Sequence, residues 1–177
     1  MFALHEKVVY PGHGVAQISR IFKQNIAGNN TLFYELTFLN KDVTILVPTS
    51  NVDAVGIRPL TSQENISAVL NIISQPARKM NSYDFTASSW NKRNKEYQLK
   101  LRTGSLKALL EIYRDLKLIE TYKELSFGEK NLLQQTEGLL VEEISLVQKL
   151  GQDKAIEQLR SLCPSKNRYS IINEHIS

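Results

Sequence analysis

The chain is 177 residues long and carries 22 lysines and arginines against 18 aspartates and glutamates, a net charge of +4. That length holds one domain or two small ones. A single cysteine, Cys163, excludes an internal disulfide framework, the scattered His5, His13 and His175 make no metal-ligand spacing, and no apolar run is long enough to span a bilayer.

Residues 1–58 read as short strands. Lys7 to Tyr10 is β-rich, and Pro11-Gly12-His13-Gly14 turns the chain. Val15 to Gln24 follows, and Gly28-Asn29-Asn30 signals a hairpin. Thr31 to Leu39 alternates, with Leu32, Tyr34, Leu36 and Phe38 on one side. Asn40-Lys41-Asp42 turns again, Val43 to Val47 is the next strand, and Pro48 ends it. Antiparallel strands with tight turns in so short a span predict a small, strongly twisted sheet or SH3-like barrel.

At Arg58-Pro59-Leu60 the apolar period changes from two to about 3.6. Thr61-Ser62-Gln63-Glu64 reads as a capping box opening a helix through Ile66, Val69, Leu70 and Ile73, which Pro76 stops. A loop is expected over 77–87. Ser88 or Ser89 is the expected cap of a second helix, which runs to Arg102 and Gly104. A third helix carries Leu106, Leu109, Leu110, Tyr113 and Leu116 or Leu118. Ser126-Phe127-Gly128-Glu129 is a second capping box, at the start of a long helix that Gly151 interrupts. A short helix over Asp153 to Leu162 precedes Pro164 and a polar tail. The class is α+β: a small β domain over 1–58, an all-helical bundle over 59–150, and a C-terminal segment over 151–177 with no assigned role.

Charge is concentrated in one stretch. Between Arg78 and Lys107 stand Arg78, Lys79, Lys92, Arg93, Lys95, Lys100, Arg102 and Lys107, opposed only by Asp84 and Glu96, whereas residues 108–150 hold five cations and eight acids. Clustered cations are the electrostatic footprint of a phosphate backbone. The only tryptophan, Trp90, lies inside that stretch. It falls with Tyr97 and Leu101 on a helical wheel, so a core anchor and a base-contacting wedge are equal readings of it. The charge types suit phosphate contact without base-edge readout. A membrane-surface helix needs a bulky apolar face that this stretch lacks. A few phosphate contacts and one aromatic bind weakly, so the bundle needs an anchor, and the exposed strand edges with Leu46 and Pro48 suit docking on another protein. Catalysis has little support: Pro11-Gly12-His13-Gly14 lacks the lysine and spacing of a phosphate loop, His13 has no evident partner, and nothing requires a metal or cofactor.

The motifs Val8-Val9-Tyr10-Pro11-Gly12-His13-Gly14, Ile45-Leu46-Val47-Pro48, Val55-Gly56-Ile57-Arg58, Trp90-Asn91-Lys92-Arg93, Lys100-Leu101-Arg102-Thr103-Gly104, Arg114-Asp115-Leu116 and Leu125-Ser126-Phe127-Gly128-Glu129-Lys130 together resemble the CarD/CdnL family of bacterial transcription regulators. The β module also resembles the polymerase-interacting domain of the transcription-repair coupling factor, without that protein's helicase motor. The resemblance implies a Tudor-like N-terminal domain bound to the β subunit of RNA polymerase. It implies a helical domain on promoter DNA at the upstream edge of the bubble, where a tryptophan wedge in the minor groove slows reclosure. Carried over, Trp90 is the wedge, Lys92, Arg93 and Lys95 are phosphate contacts, and Leu46 and Pro48 face the polymerase. Lys92 stands where arginine is common, which implies a point-charge contact in place of a forked one. The expectation is a non-enzymatic, cytoplasmic, monomeric regulator that stabilises the open promoter complex. The rival is an adaptor that binds polymerase without touching DNA.

Overall fold

The computed structural model describes residues 1–75 and 85–163. Most of the loop expected over 77–87, with Arg78 and Lys79, and the tail from Pro164 lie outside them.

Five antiparallel strands form one sheet: β1 (Lys7–Tyr10), β2 (Gly14–Ile26), β3 (Asn29–Phe38), β4 (Thr44–Pro48) and β5 (Arg58–Pro59), in the order β4-β3-β2-β1-β5. The β2–β3 hairpin is longer than expected. Its turn is Ala27-Gly28, both at positive φ (51° and 85°), so Asn29 and Asn30 belong to the strand, with Asn29 opposite Ile26. Two consecutive left-handed residues match the twist of the flanking strands. The register shifts between Ile18 and Arg20, where an irregularity bends β2. Period-two alternation then buries Val8, Ala16, Ile18, Tyr34, Leu36, Phe38 and Val47, and Ile57 closes the cluster. β5 was not anticipated: Arg58-Pro59, read as a plain boundary, pairs with Val9 and Val8 as the far edge of the sheet.

After a short turn at Thr49–Asn51 and α1 (Val52–Val55), the helices are α2 (Gln63–Ser74), α3 (Ala87–Arg102), α4 (Leu106–Tyr122), α5 (Phe127–Gln148) and α6 (Gln152–Leu162). α4 is the centre of the bundle. Leu109, Leu110, Ile112, Tyr113, Leu116 and Ile119 are buried against residues of the other four helices. Ala155 and Leu159 dock α6 on the same core. α5 ends at Gln148 with Lys149 left-handed, two residues before the expected break at Gly151, which caps α6 instead.

Two caps differ from expectation. Ser62, not Thr61, caps α2 by accepting from the Asn65 N–H. Thr86, not Ser88 or Ser89, caps α3 by accepting from the Ser89 N–H. The reason for the first lies across the molecule. Thr61 donates both its backbone N–H (2.8 Å) and its hydroxyl (2.9 Å) to Glu143 of α5. A buried carboxylate is a stronger acceptor than a helix end is a donor set, and it takes the threonine.

Glu143 is the centre of the seam between sheet and bundle. Arg58 donates to its two oxygens through both terminal nitrogens, each at 2.8 Å, and through Nε to the Gly104 carbonyl at 2.8 Å. Beside it, Glu142 accepts from the Val15 backbone and the Asn40 side chain; burial pushes its carboxyl above the ordinary value and these bonds pull it back. Gly14 sits so close that a Cβ there would lie 2.3 Å from Glu142 Oε2, and one at Gly104 would lie 2.8 Å from Pro11 Cγ. The Pro11–Gly14 turn is therefore pressed into the bundle. Arg58→Ala leaves Glu143 buried with only Thr61 to satisfy it. The expected loss is on the order of 3 kcal/mol, read as a lower urea midpoint.

Candidate nucleic-acid interface

α3 divides its residues by spacing. Arg93, Tyr97 and Leu101 recur every four residues and face the core, while Lys92, Lys95, Leu99 and Arg102 lie on the solvent side. Trp90 stands in the first turn, where side chains lean toward the helix N-terminus. It is half-buried, packed at the rim of the helical core. Its ring rests on the start of α5: a Cβ added to Gly128 would lie 3.2 Å from both Cζ2 and Nε1 of the indole. A side chain there would be tighter than an ordinary contact and would require the ring to shift by a few tenths of an ångström.

Arg93 is placed differently from the expectation. Its side chain is 2% exposed, its guanidinium carbon is 5.6 Å from the centroid of the Trp90 ring, and its Nη2 donates to Glu129 at 2.9 Å. A phosphate cannot reach it there, so the phosphate role assigned to Arg93 is withdrawn. The correction was legible in the sequence: Arg93 precedes Tyr97 by four residues and belongs to the apolar stripe. Glu129, 1% exposed, is itself held by three donors. It accepts from Arg93, from Lys123, and from the Ser126 backbone N–H at 2.8 Å, the last completing the expected capping box. Burial raises its proton affinity, but the bonds from Lys123, Ser126 and Arg93 prevail and hold its pKa at about 2. The buried ion pair and the cap thus tie the first turn of α5 to α3 directly beneath the indole.

The remaining candidates are exposed. Lys92 and Lys95 are in solvent on the helix that carries Trp90, and Leu99 and Arg102 extend the same exposed stripe. Lys100 is taken by Glu111 at 2.8 Å, which subtracts a second cation from this surface. In the sheet, β4 is an edge strand, paired only with β3 among the described residues. Leu46 is 49% exposed on it, with Val43 and Leu39 also exposed close by, and Pro48 is half-buried opposite Phe33. Among the described residues no group of three or more histidines, cysteines or acids is placed to hold a metal, and no helix is long and apolar enough to cross a membrane.

A sheet with an open edge, clamped to a bundle whose α3 carries one half-buried tryptophan and two exposed lysines, is the architecture of a two-module binding protein. Comparison with known proteins makes this specific. Residues 2–61 match the CarD-like/TRCF RID domain and residues 68–160 match the CarD C-terminal domain, so the chain belongs to the CarD family of transcription regulators, which is not an enzyme family. The first match implies an interaction with RNA polymerase. The candidate transcription factor YdeB of Bacillus subtilis (strain 168) is 24% identical over 147 residues, 83% of this chain and 92% of YdeB. The solution structure of the 72-residue N-terminal domain of Myxococcus xanthus CarD is 30% identical, covering 33% of this chain and 79% of that one, with a TM-score of 0.30.

The low pKa of Glu129 has a consequence for stability. A carboxylate whose folded pKa lies below the ordinary 4.5 stabilises the fold above that pH and loses the contribution as pH falls toward about 2. Glu129→Gln is expected to be less stable than the wild type at neutral pH by on the order of 3 kcal/mol. The gap narrows as pH falls from about 5 to about 2. Urea titrations across that range measure it, and the emission of the sole tryptophan reports whether the indole has lost its support.

Proposed function

We propose that the β module binds the β subunit of RNA polymerase and that the helical bundle stabilises the open promoter complex through sequence-independent contact at the upstream edge of the bubble. In this reading Trp90 wedges the minor groove, and Lys92 and Lys95 contact phosphates on either side of it. Leu46 and Pro48, on and at the end of the open edge strand, meet the polymerase. The protein acts as a monomer where the polymerase works, in the cytoplasm, and needs no cofactor.

The observation that supports this most is the setting of Trp90. A ring half out of the core and braced from behind by Gly128 and Arg93 is preorganised to enter a groove without first losing side-chain freedom. The energetic demand is small. A protein shifts the closed–open equilibrium by its differential affinity for the two DNA states, and about 1.4 kcal/mol in favour of the melted state changes the ratio tenfold.

One observation favours the rival adaptor reading: Arg93 and Lys100 are neutralised within the protein, which thins the positive face. The two readings separate on Trp90→Ala. The wedge reading expects the lifetime of polymerase–promoter open complexes with this variant to fall about tenfold relative to wild type, with binding to polymerase alone unchanged. An unaltered lifetime leaves the adaptor. Leu46→Glu is expected to abolish co-purification with polymerase while the far-UV spectrum and urea midpoint stay at wild-type values, since Leu46 lies outside the core.

A further inference from the structure

We propose that Phe127 is a second aromatic of the DNA-facing surface, one that stacks on an unpaired base beside the step opened by Trp90. This rests on the wedge reading above and extends it by a residue and a ligand: the base of the melted strand.

Phe127 is the first residue of α5 and is 80% exposed, although the phenyl ring is among the most strongly apolar side chains. A lone exposed phenylalanine needs no explanation. This one has a particular address. It is next in chain to Gly128, where an added Cβ would lie 3.2 Å from the indole of Trp90, so the two aromatics stand at one corner of the bundle. Its backbone is also fixed. Ser126 and Glu129, on either side of the Phe127-Gly128 pair, exchange the two bonds of the capping box, and Glu129 is anchored to Arg93. Helical side chains lean toward the N-terminus, so a ring at the first position overhangs the end of α5 and covers no turn of its own helix.

The surroundings select the occupant. Exposed cations stand on both of the helices whose starts meet here, Lys92 and Lys95 on α3 and Lys130 three residues along α5, the last sharing its charge with Glu124. An exposed apolar ring on a surface that also carries exposed lysines suits a nucleic acid, which offers an anionic backbone and an uncharged base face together; a purely apolar protein surface would strand those charges. A duplex gives a protein ring access only after a step is unstacked, and that is what a wedge at Trp90 supplies. The base freed there has a face that Phe127 is placed to cover.

The test compares Phe127→Ala, Phe127→Leu, Phe127→Tyr and Trp90→Ala in the full chain, reading open-complex lifetime with RNA polymerase and a promoter fragment. Base–aromatic stacking predicts that Ala and Leu shorten the lifetime about fivefold or more and that Tyr restores it. The emission of Trp90 and the urea midpoint should remain at wild-type values in all three Phe127 variants, because Phe127 lies outside the core. A wild-type lifetime for Phe127→Ala, alongside a shortened one for Trp90→Ala, overturns the role of Phe127 and spares the wedge; wild-type lifetimes for both overturn the wedge itself. A Leu variant equal to wild type replaces stacking by simple apolar contact and overturns the assignment. Weakened binding of Phe127→Ala to polymerase without DNA makes the occupant a protein and overturns it too.

Discussion

The architecture depends on buried carboxylates of a single helix. α5 carries Glu129 in its first turn and Glu142 and Glu143 near its last, and each of the three draws donors from elsewhere in the chain. Glu143 takes Arg58 and Thr61 and so fixes the sheet against the bundle. Glu129 takes Arg93 and Lys123 and so fixes α3 against the start of α5. An isolated carboxylate cannot be buried at acceptable energy, whereas one that accepts several charge-assisted bonds can. Their free energy need not be large to matter. What such pairs contribute is geometry, because each carboxylate holds a named side chain of another element, although Nε and Nη1 of Arg93 are buried without a hydrogen-bond partner. Here that geometry fixes the sheet, which carries the edge strand, against the bundle, which carries the indole.

That placement is where structure becomes function. A bundle with only four exposed cations on its basic stretch would bind DNA poorly on its own. Attached to a module that holds the polymerase, it would meet the same DNA at an effective concentration of about millimolar, provided the span is right. A flexible linker between the modules would dilute the effect. Arg58, whose fork grips Glu143 while its Nε grips the Gly104 carbonyl, makes the connection a joint and not a tether. The glycines pressed against Glu142 and Pro11 belong to the same joint, since a side chain at Gly14 or Gly104 would push the modules apart.

Much of this could be read from the residues in order. Period-two alternation in β3, the switch to period 3.6 after Arg58, and the Ser126–Glu129 capping box each depend on neighbours within a few positions, and each is found where the sequence puts it. What escaped reading was long-range. Thr61 looks like an N-cap because its natural competitor, Glu143, is 82 residues away. Pro11-Gly12-His13-Gly14 looks like a bare turn until Glu142 is laid against it. Glu142-Glu143 looks like a solvated pair on a helix until the sheet covers it. Arg93 is the exception, since its stripe with Tyr97 and Leu101 was in plain view. Its charge, read as an attraction to phosphate, outweighed the periodicity that placed it inside.

The burial of Arg93 changes the account of how the candidate surface works. With Arg93 given to Glu129 and Lys100 to Glu111, the described part of the basic stretch retains Lys92, Lys95, Arg102 and Lys107 in solvent. Each phosphate contact steepens the dependence of log affinity on log salt by about 0.9, so a surface of so few contacts is shallow in salt as well as weak. An aromatic wedge does not share that dependence, because unstacking and apolar contact are not screened by ions. The buried guanidinium therefore serves the site better beneath Trp90 than it would on the surface. It gives up one screened attraction and in return stiffens the ring that, in the proposed function, would enter the groove and distinguish closed from melted DNA.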